Sequence, residues 1–171
     1  MDETATKLLQ SKFPELVTRF PNAFLSATDF RGDFEVVVDR SQIRDCLQFL
    51  KGSLEFHLLM DLFGMDYLKQ SESTHRFAVI YILYSLTKKR RIRLKVFLSA
   101  GEPTMTSVSD LFAAANWFER EAWDMYGIIF EGHPNLTRIL CHQDFQGHPM
   151  RKDYPSDGYQ RLKSPLSSSG I

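Results

Sequence analysis

Apolar residues recur along this chain with periods that change, and each change marks an element. Ala5 to Phe13 predicts a short helix closed by Pro14, because the residue before a proline is disfavoured from helical geometry. Phe34 to Val38, β-branched and preceded by Gly32, predicts a strand. Ser41 then offers a hydroxyl cap to a helix that runs to Lys51 and stops at Gly52. Within it Ile43, Cys46, Leu47 and Leu50 fall at helical spacing on one stripe, which makes Cys46 an expected inert packing residue. Phe77 to Leu86 and Arg91 to Leu98 predict two strands of a hairpin joined by Thr87 to Arg90. In the second strand Ile92, Leu94, Val96 and Leu98 point one way, and Arg91, Arg93 and Lys95 point the other, a basic and solvated sheet face. From Ser107 the period becomes helical. Ser107 and Asp110 are spaced as a capping box before the stripe Leu111, Ala115, Phe118, Ala122 and Met125, with Asn116 a potential dividing point and Gly127 a left-handed stop.

Beyond Phe130 both periods fade, and prolines at 134, 149, 155 and 165 bend the rest of the chain. Residues 1–130 therefore read as an α+β body, a two-layer domain with a mixed β-sheet packed by helices, and residues 131–171 as an extended C-terminal arm. The last stretch, Ser164 to Ile171, is Ser-rich and expected to be mobile if left free. The middle of the arm keeps Leu136, Ile139, Leu140, Phe145 and Tyr154, too apolar for a solvated linker, so a covering surface is expected.

Composition narrows the function. The 21 Lys plus Arg balance 21 Asp plus Glu, so no net field draws the chain to nucleic acid or an anionic membrane. No apolar run reaches the roughly 20 residues of a membrane-spanning helix, and Met1 to Gln10 lacks a signal peptide's apolar core, which predicts a cytoplasmic chain. Two distant cysteines, Cys46 and Cys141, cannot supply a four-thiolate cluster.

The candidate chemistry lies between Glu119 and Tyr154. Arg120 and Asp124 are spaced for a surface ion pair, whereas Glu119 and Glu121 diverge by about 200° and cannot share one substrate as acid and base. Gly132-His133-Pro134 is echoed by Gly147-His148-Pro149, and basic residues follow each, at Arg138 and at Arg151-Lys152. His133 and His148 with Asp144 or Asp153 contain zinc-capable donors, as a small metal-dependent hydrolase would need, but the two histidines are not at the helical i, i+4 spacing of a His-x-x-x-His pair. Two sharp bends that present His, Arg and Lys to a neighbour are the favoured reading.

The run from Ala115 to Leu140, ANWFEREAWDMYGIIFEGHPNLTRIL, followed by GHPMRKDYP, closely resembles the C-type subunit of respiratory complex I, the proton-pumping NADH:quinone oxidoreductase. FHLLMDLFGMDY, FAVIYILYSL and RRIRLKV fit that family in order; Thr137 and Cys141-His142-Gln143 depart from its common pattern. The resemblance implies a docking subunit without catalytic residues or cofactors of its own. FMN, iron–sulfur clusters, NADH and quinone would be held by partner subunits. The arm would wrap the D-type subunit, which helps form the quinone site, at the cytoplasmic face of the bacterial inner membrane, with membrane contact only through the complex. Glu119, Arg120, Glu121, Asp124, His133, Arg138, His148, Arg151, Lys152, Asp153 and Tyr154 make up the matching signature, with Arg138, Arg151 and Lys152 as orienting charges. A membrane-bound hydrogenase or an enzyme of another electron donor would use a similar subunit.

Overall fold

The computed structural model describes residues 3–68, 75–157 and 160. Helices α1 (Glu3–Lys12) and α2 (Pro14–Arg19) open the chain. Pro14 ends the first and starts the second, since a proline at the first helical position loses no hydrogen bond. Strands β1 (Phe24–Phe30) and β2 (Asp33–Val38) form an antiparallel hairpin, and helix α3 (Ile43–Gly52) follows. Strands β3 (Leu58–Asp66), β4 (Phe77–Ser85) and β5 (Arg90–Leu98) come next, then β6 (Thr104–Thr106), helix α4 (Ala115–Tyr126) and β7 (Ile129–Glu131).

The main sheet has the order β1-β2-β5-β4-β3. β2 and β5 run parallel and the other pairs antiparallel, so the sheet is mixed, and β6 and β7 make a small parallel pair beside it. One core joins the layers. Leu9 of α1, Leu16 of α2, Leu47 and Leu50 of α3 and Ala122 of α4 belong to the same buried cluster as Val36, Val79, Leu94 and Val96 of the strands. The α+β class and the mixed sheet agree with the expectation from sequence.

The α3 stripe lies where its spacing places it, with Ile43, Cys46, Leu47 and Leu50 all buried. Burial, with Asp45 nearby, pushes the Cys46 thiol up to about 12. A thiol-reactive disulfide at about pH 8 is therefore expected to leave Cys46 unmodified in the native chain and to react with it only after denaturation. Rapid native labelling that a Cys46→Ser variant abolishes would show that α3 opens.

Three sequence expectations need correction. Ser41 does not cap α3, because the N-cap position falls on Gln42, which makes no side-chain cap bond; the Ser41 hydroxyl and N–H instead donate to Asp39 Oδ1, at 2.5 and 2.8 Å. Ser107 and Asp110 do not form a capping box, since α4 begins only at Ala115 and both side chains have distant partners, Glu119 and Arg44. The outward face of β5 is not bare positive charge. β2 lies alongside and brings Asp33 to Arg91, and Glu35 to Arg93 and Lys95, so the cations are neutralised across the parallel register Glu35↔Arg93.

After β7 the described chain forms neither helix nor strand. Residues 132–157 turn back over α4, and no peptide in the described chain is cis. The Ser164 to Ile171 stretch lies outside the described residues.

Candidate functional site

Helix α4 is the post to which this returning segment is tied, and Asp124 is the central tie. Its carboxylate is fully buried. Arg138 Nη1 donates to Oδ1 at 2.5 Å, and the N–H groups of Ile139, Leu140 and Cys141 converge on Oδ2 at 2.9 to 3.0 Å. Burial works to raise this acid, but the Cys141 and Ile139 N–H groups, the guanidinium and the Leu140 N–H outweigh it and hold it below the usual range. The expected Arg120–Asp124 surface pair is absent: Arg120 donates instead to the carbonyls of Thr137 at 3.0 Å and Arg138 at 2.8 Å. A buried carboxylate with four donors gains far more than an exposed helical pair, worth roughly 0.2–0.5 kcal/mol.

The two Gly-His-Pro turns act as paired staples. Gly132 and Gly147 both have positive φ, 80° and 87°. Each histidine then reaches a backbone carbonyl of α4. His133 Nδ1 accepts from the Asn135 N–H, which leaves Nε2 to donate to Asn116 O at 3.0 Å. His148 Nδ1 lies 3.0 Å from Asp124 O. Burial lowers the His148 pKa, with the Arg151 and Arg138 charges adding to it. No three His, Cys, Asp or Glu side chains come together as a metal centre among the described residues.

The remaining signature residues extend the seam to the strands. Arg151 Nε donates to Tyr126 O at 2.6 Å and its guanidinium lies over Phe77. The Lys152 N–H donates to Asp66 Oδ2 at 2.8 Å, Arg76 bridges Asp66 and Asp153, and Tyr154 stacks on Phe145. Arg138 and Arg151 thus each have partners within their own fold. A guanidinium beside a buried carboxylate or an unsatisfied helix carbonyl has its partner already. The side chains of Lys152 and Glu121 face solvent. Glu119 and Glu121 diverge as expected, Glu119 being buried completely.

Sequence reasoning named Leu140 as an apolar group in need of cover but missed the rest of the lining beside this seam. Phe63, Gly64, Ala122, Met125, Tyr126, Leu140 and Met150 enclose a shallow pocket with Glu121 at its edge. Leu140 and Met150 are 64% and 49% exposed, and Trp117, two turns before Met125 on α4, is 59% exposed. The exposed positions follow from α4's own pitch, since 117, 121 and 125 share one face.

Fold and seam together define a class: a two-layer α+β domain whose last helix is clasped by its own C-terminal segment. The chain belongs to the family described as "Respiratory-chain NADH dehydrogenase, 30 Kd subunit", whose model matches residues 36–160. The C-type NADH-quinone oxidoreductase subunit of Citrifermentans bemidjiense is 44% identical over 147 residues, 86% of this chain and 89% of the relative. Its counterpart in Geobacter sulfurreducens, of the same type, is 42% identical over 147 residues, 86% and 90% of the two chains. A solved trypsin-resistant fragment of Nqo5 superposes with a TM-score of 0.66 at 32% identity, over 75% of this chain and 98% of the fragment. A chain of the archaeal membrane-bound sulfane sulfur reductase shares the fold, with a TM-score of 0.72 at 21% identity over 92% and 98%.

Proposed function

We propose that this chain is a docking subunit in the peripheral arm of a proton-translocating NADH:quinone oxidoreductase. It supplies no catalytic residue and no cofactor. Electrons pass from NADH through FMN and iron–sulfur clusters in neighbouring subunits to quinone, and this domain fixes the position of those neighbours. The D-type, quinone-site subunit and the cluster-bearing subunits beside it are the partners. Membrane contact is made through the complex, at the cytoplasmic face of the bacterial inner membrane; among the described residues no helix is long and apolar enough to cross a membrane.

The observation that carries this reading is the pair of exposed apolar side chains Leu140 and Met150, which line one pocket with Glu121 and are held by a segment that is itself tied down, with Trp117 also exposed on α4. Residues 131–171 then serve as the partner-binding part in a revised sense. Arg138, Arg151, His133 and His148 fix the described part of the segment to α4, and the exposed side chains of Leu140 and Met150 face the neighbour. A pre-ordered segment loses little entropy on docking.

Leu140→Asp with Met150→Asp is expected to reduce recovery of the other subunits with this chain about tenfold, the effect of roughly 1.4 kcal/mol. The isolated variant should melt within about 2 °C of the wild type, since both side chains are exposed. Full recovery of the complex by the double variant, or isolation of the wild-type chain from its own cells as a lone monomer, would overturn the reading.

A further inference from the structure

Two carboxylates on α4 are buried completely, and their surroundings differ in kind. Asp124 has a guanidinium and three N–H donors. Among the described residues Glu119 has two donors and no cation in contact: Ser107 Oγ lies 2.6 Å from Oε2, and the Val108 N–H donates to Oε1 at 2.7 Å. The guanidinium whose charge reaches it, that of Arg44 in α3, is spent on Ser107 O at 2.7 Å and on both oxygens of Asp110. Tyr81 of β4 approaches from the sheet, and its buried hydroxyl has no hydrogen-bond partner among the described residues. Asp110, Arg44 and Tyr81 are the charged or titratable groups whose influence reaches Glu119 across the elements packed on it. Their charges nearly cancel, so burial decides, and a buried carboxyl without a cation favours the neutral acid.

The hydroxyls beside it fit both protonation states. Ser107 Oγ lies 2.9 Å from Ser109 Oγ and accepts from the Ser109 N–H at 3.2 Å. Ser107 is buried, whereas Ser109 is only half-buried. We propose that Glu119 is a buried proton-binding site, served from the surface through the hydroxyls of Ser109 and Ser107, that binds and releases a proton while the 107–114 loop stays closed.

In the ionised state Ser109 donates to Ser107, and Ser107 donates to Glu119. A proton from solvent binds Ser109 Oγ, the proton Ser109 held moves to Ser107 Oγ, and the proton Ser107 held moves to Glu119 Oε2. Three O–H bonds form, two serine O–H bonds and one bond in the solvent donor break, and the net change is one proton gained. Afterwards Glu119 donates to Ser107 and Ser107 donates to Ser109, while the Val108 N–H keeps its acceptor at Oε1. No heavy atom needs to move, so the loop's ties to Arg44 and Glu131 survive. Burial raises Glu119 to about 7 against the lowering by Ser107 and Val108, which puts the exchange at neutral pH.

The test is carbon-13 NMR of glutamate Cδ in the full chain from about pH 4 to pH 9, with Glu119→Gln to assign the resonance. The expected result is one moving line with a midpoint near 7 and little change in the amide signals of residues 107–112. Ser109→Ala should keep the midpoint within a few tenths of a unit but split the line into two slowly exchanging ones, because the surface end of the relay is gone. A midpoint in the ordinary glutamate range, or loss of the loop amide signals on titration, would overturn the site. A split line already present in the wild type would overturn the relay. Thermal melting gives a second readout with a fixed sign. The folded acid is raised above its ordinary 4.5, so the ionisable chain is favoured most below that value and loses the advantage as pH rises through about 7. The wild-type melting temperature should therefore fall relative to Glu119→Gln between pH 5 and pH 8, and parallel curves would count against it.

Discussion

Asp124→Asn is expected to lower the unfolding free energy by about 3–5 kcal/mol, because it leaves the Arg138 guanidinium buried opposite an uncharged amide. The substitution keeps the shape of the side chain. It removes the charge that offsets Arg138 and can turn an amide N–H toward the Ile139, Leu140 and Cys141 donors. Arg138 would keep the Phe145 and Gly147 carbonyls and its places over Trp123 and Phe145, so the segment should loosen before the body unfolds. Urea unfolding gives the magnitude, and amide exchange gives the place: residues 139–141 should lose protection well before α3. Adding Arg138→Met should recover part of the loss, since an unpaired charge costs more than a missing pair. A cost below about 1 kcal/mol would mean that the clasp is held elsewhere. The pH dependence has a definite sign. Asp124 is held below its ordinary 3.8, so its contribution is present above that value and is lost only as acid drives the pH down through the lower folded pKa. The clasp is therefore expected to hold throughout the neutral range in which Glu119 exchanges its proton.

Elements whose signal is local were legible in the sequence. The α3 stripe, the β4–β5 hairpin and the Gly127 stop each depend on neighbours within a turn or a pleat. β1 and β3 were missed because the alternation that announces a strand is broken by bulges, between Phe24 and Ser26 and between Leu59 and Asp61. In β3 the break leaves Leu58 and Met60 exposed, and Gly64 contributes no side chain at all. The side-chain ties failed for a different reason. Ser107 and Asp124 both have acceptable local partners, but the partners that win are twelve and fourteen residues away. Glu119 could have been found, since Ala115, Glu119 and Ala122 lie at i, i+4 and i+7 and place a carboxyl on the face that α4 buries. The two Gly-His-Pro turns were readable as turns. That both histidines reach back to α4 was not, because a ring's target depends on how the returning segment is laid down.

Gly127→Ala is expected to cost about 3 kcal/mol, and Gly132→Ala about 1 kcal/mol, although the two glycines have nearly the same backbone angle. Their φ values are 73° and 80°, so an alanine meets similar left-handed strain at either place. Their surroundings are opposite. A Cβ on Gly132 would meet nothing within 4 Å, whereas one on Gly127 would stand 2.7 Å from His148 Cδ2 and Nε2 and collide with the Arg151 guanidinium as well. Those groups cannot yield cheaply, since His148 is bonded to Asp124 O and Arg151 to Tyr126 O, the carbonyls at the end of α4. The difference between the two variants, measured by urea unfolding under one set of conditions, therefore isolates the energy with which the segment's far end is seated on the helix. Equal costs would mean that His148 and Arg151 move aside freely, and the second staple would then have no energetic role. If the difference is near the expected 2 kcal/mol, Gly127→Ala should also reduce recovery of the assembled complex, because displacing Arg151 displaces Met150 beside it. The Gly132→Ala protein, equally strained in its backbone but unhindered, should assemble as the wild type does.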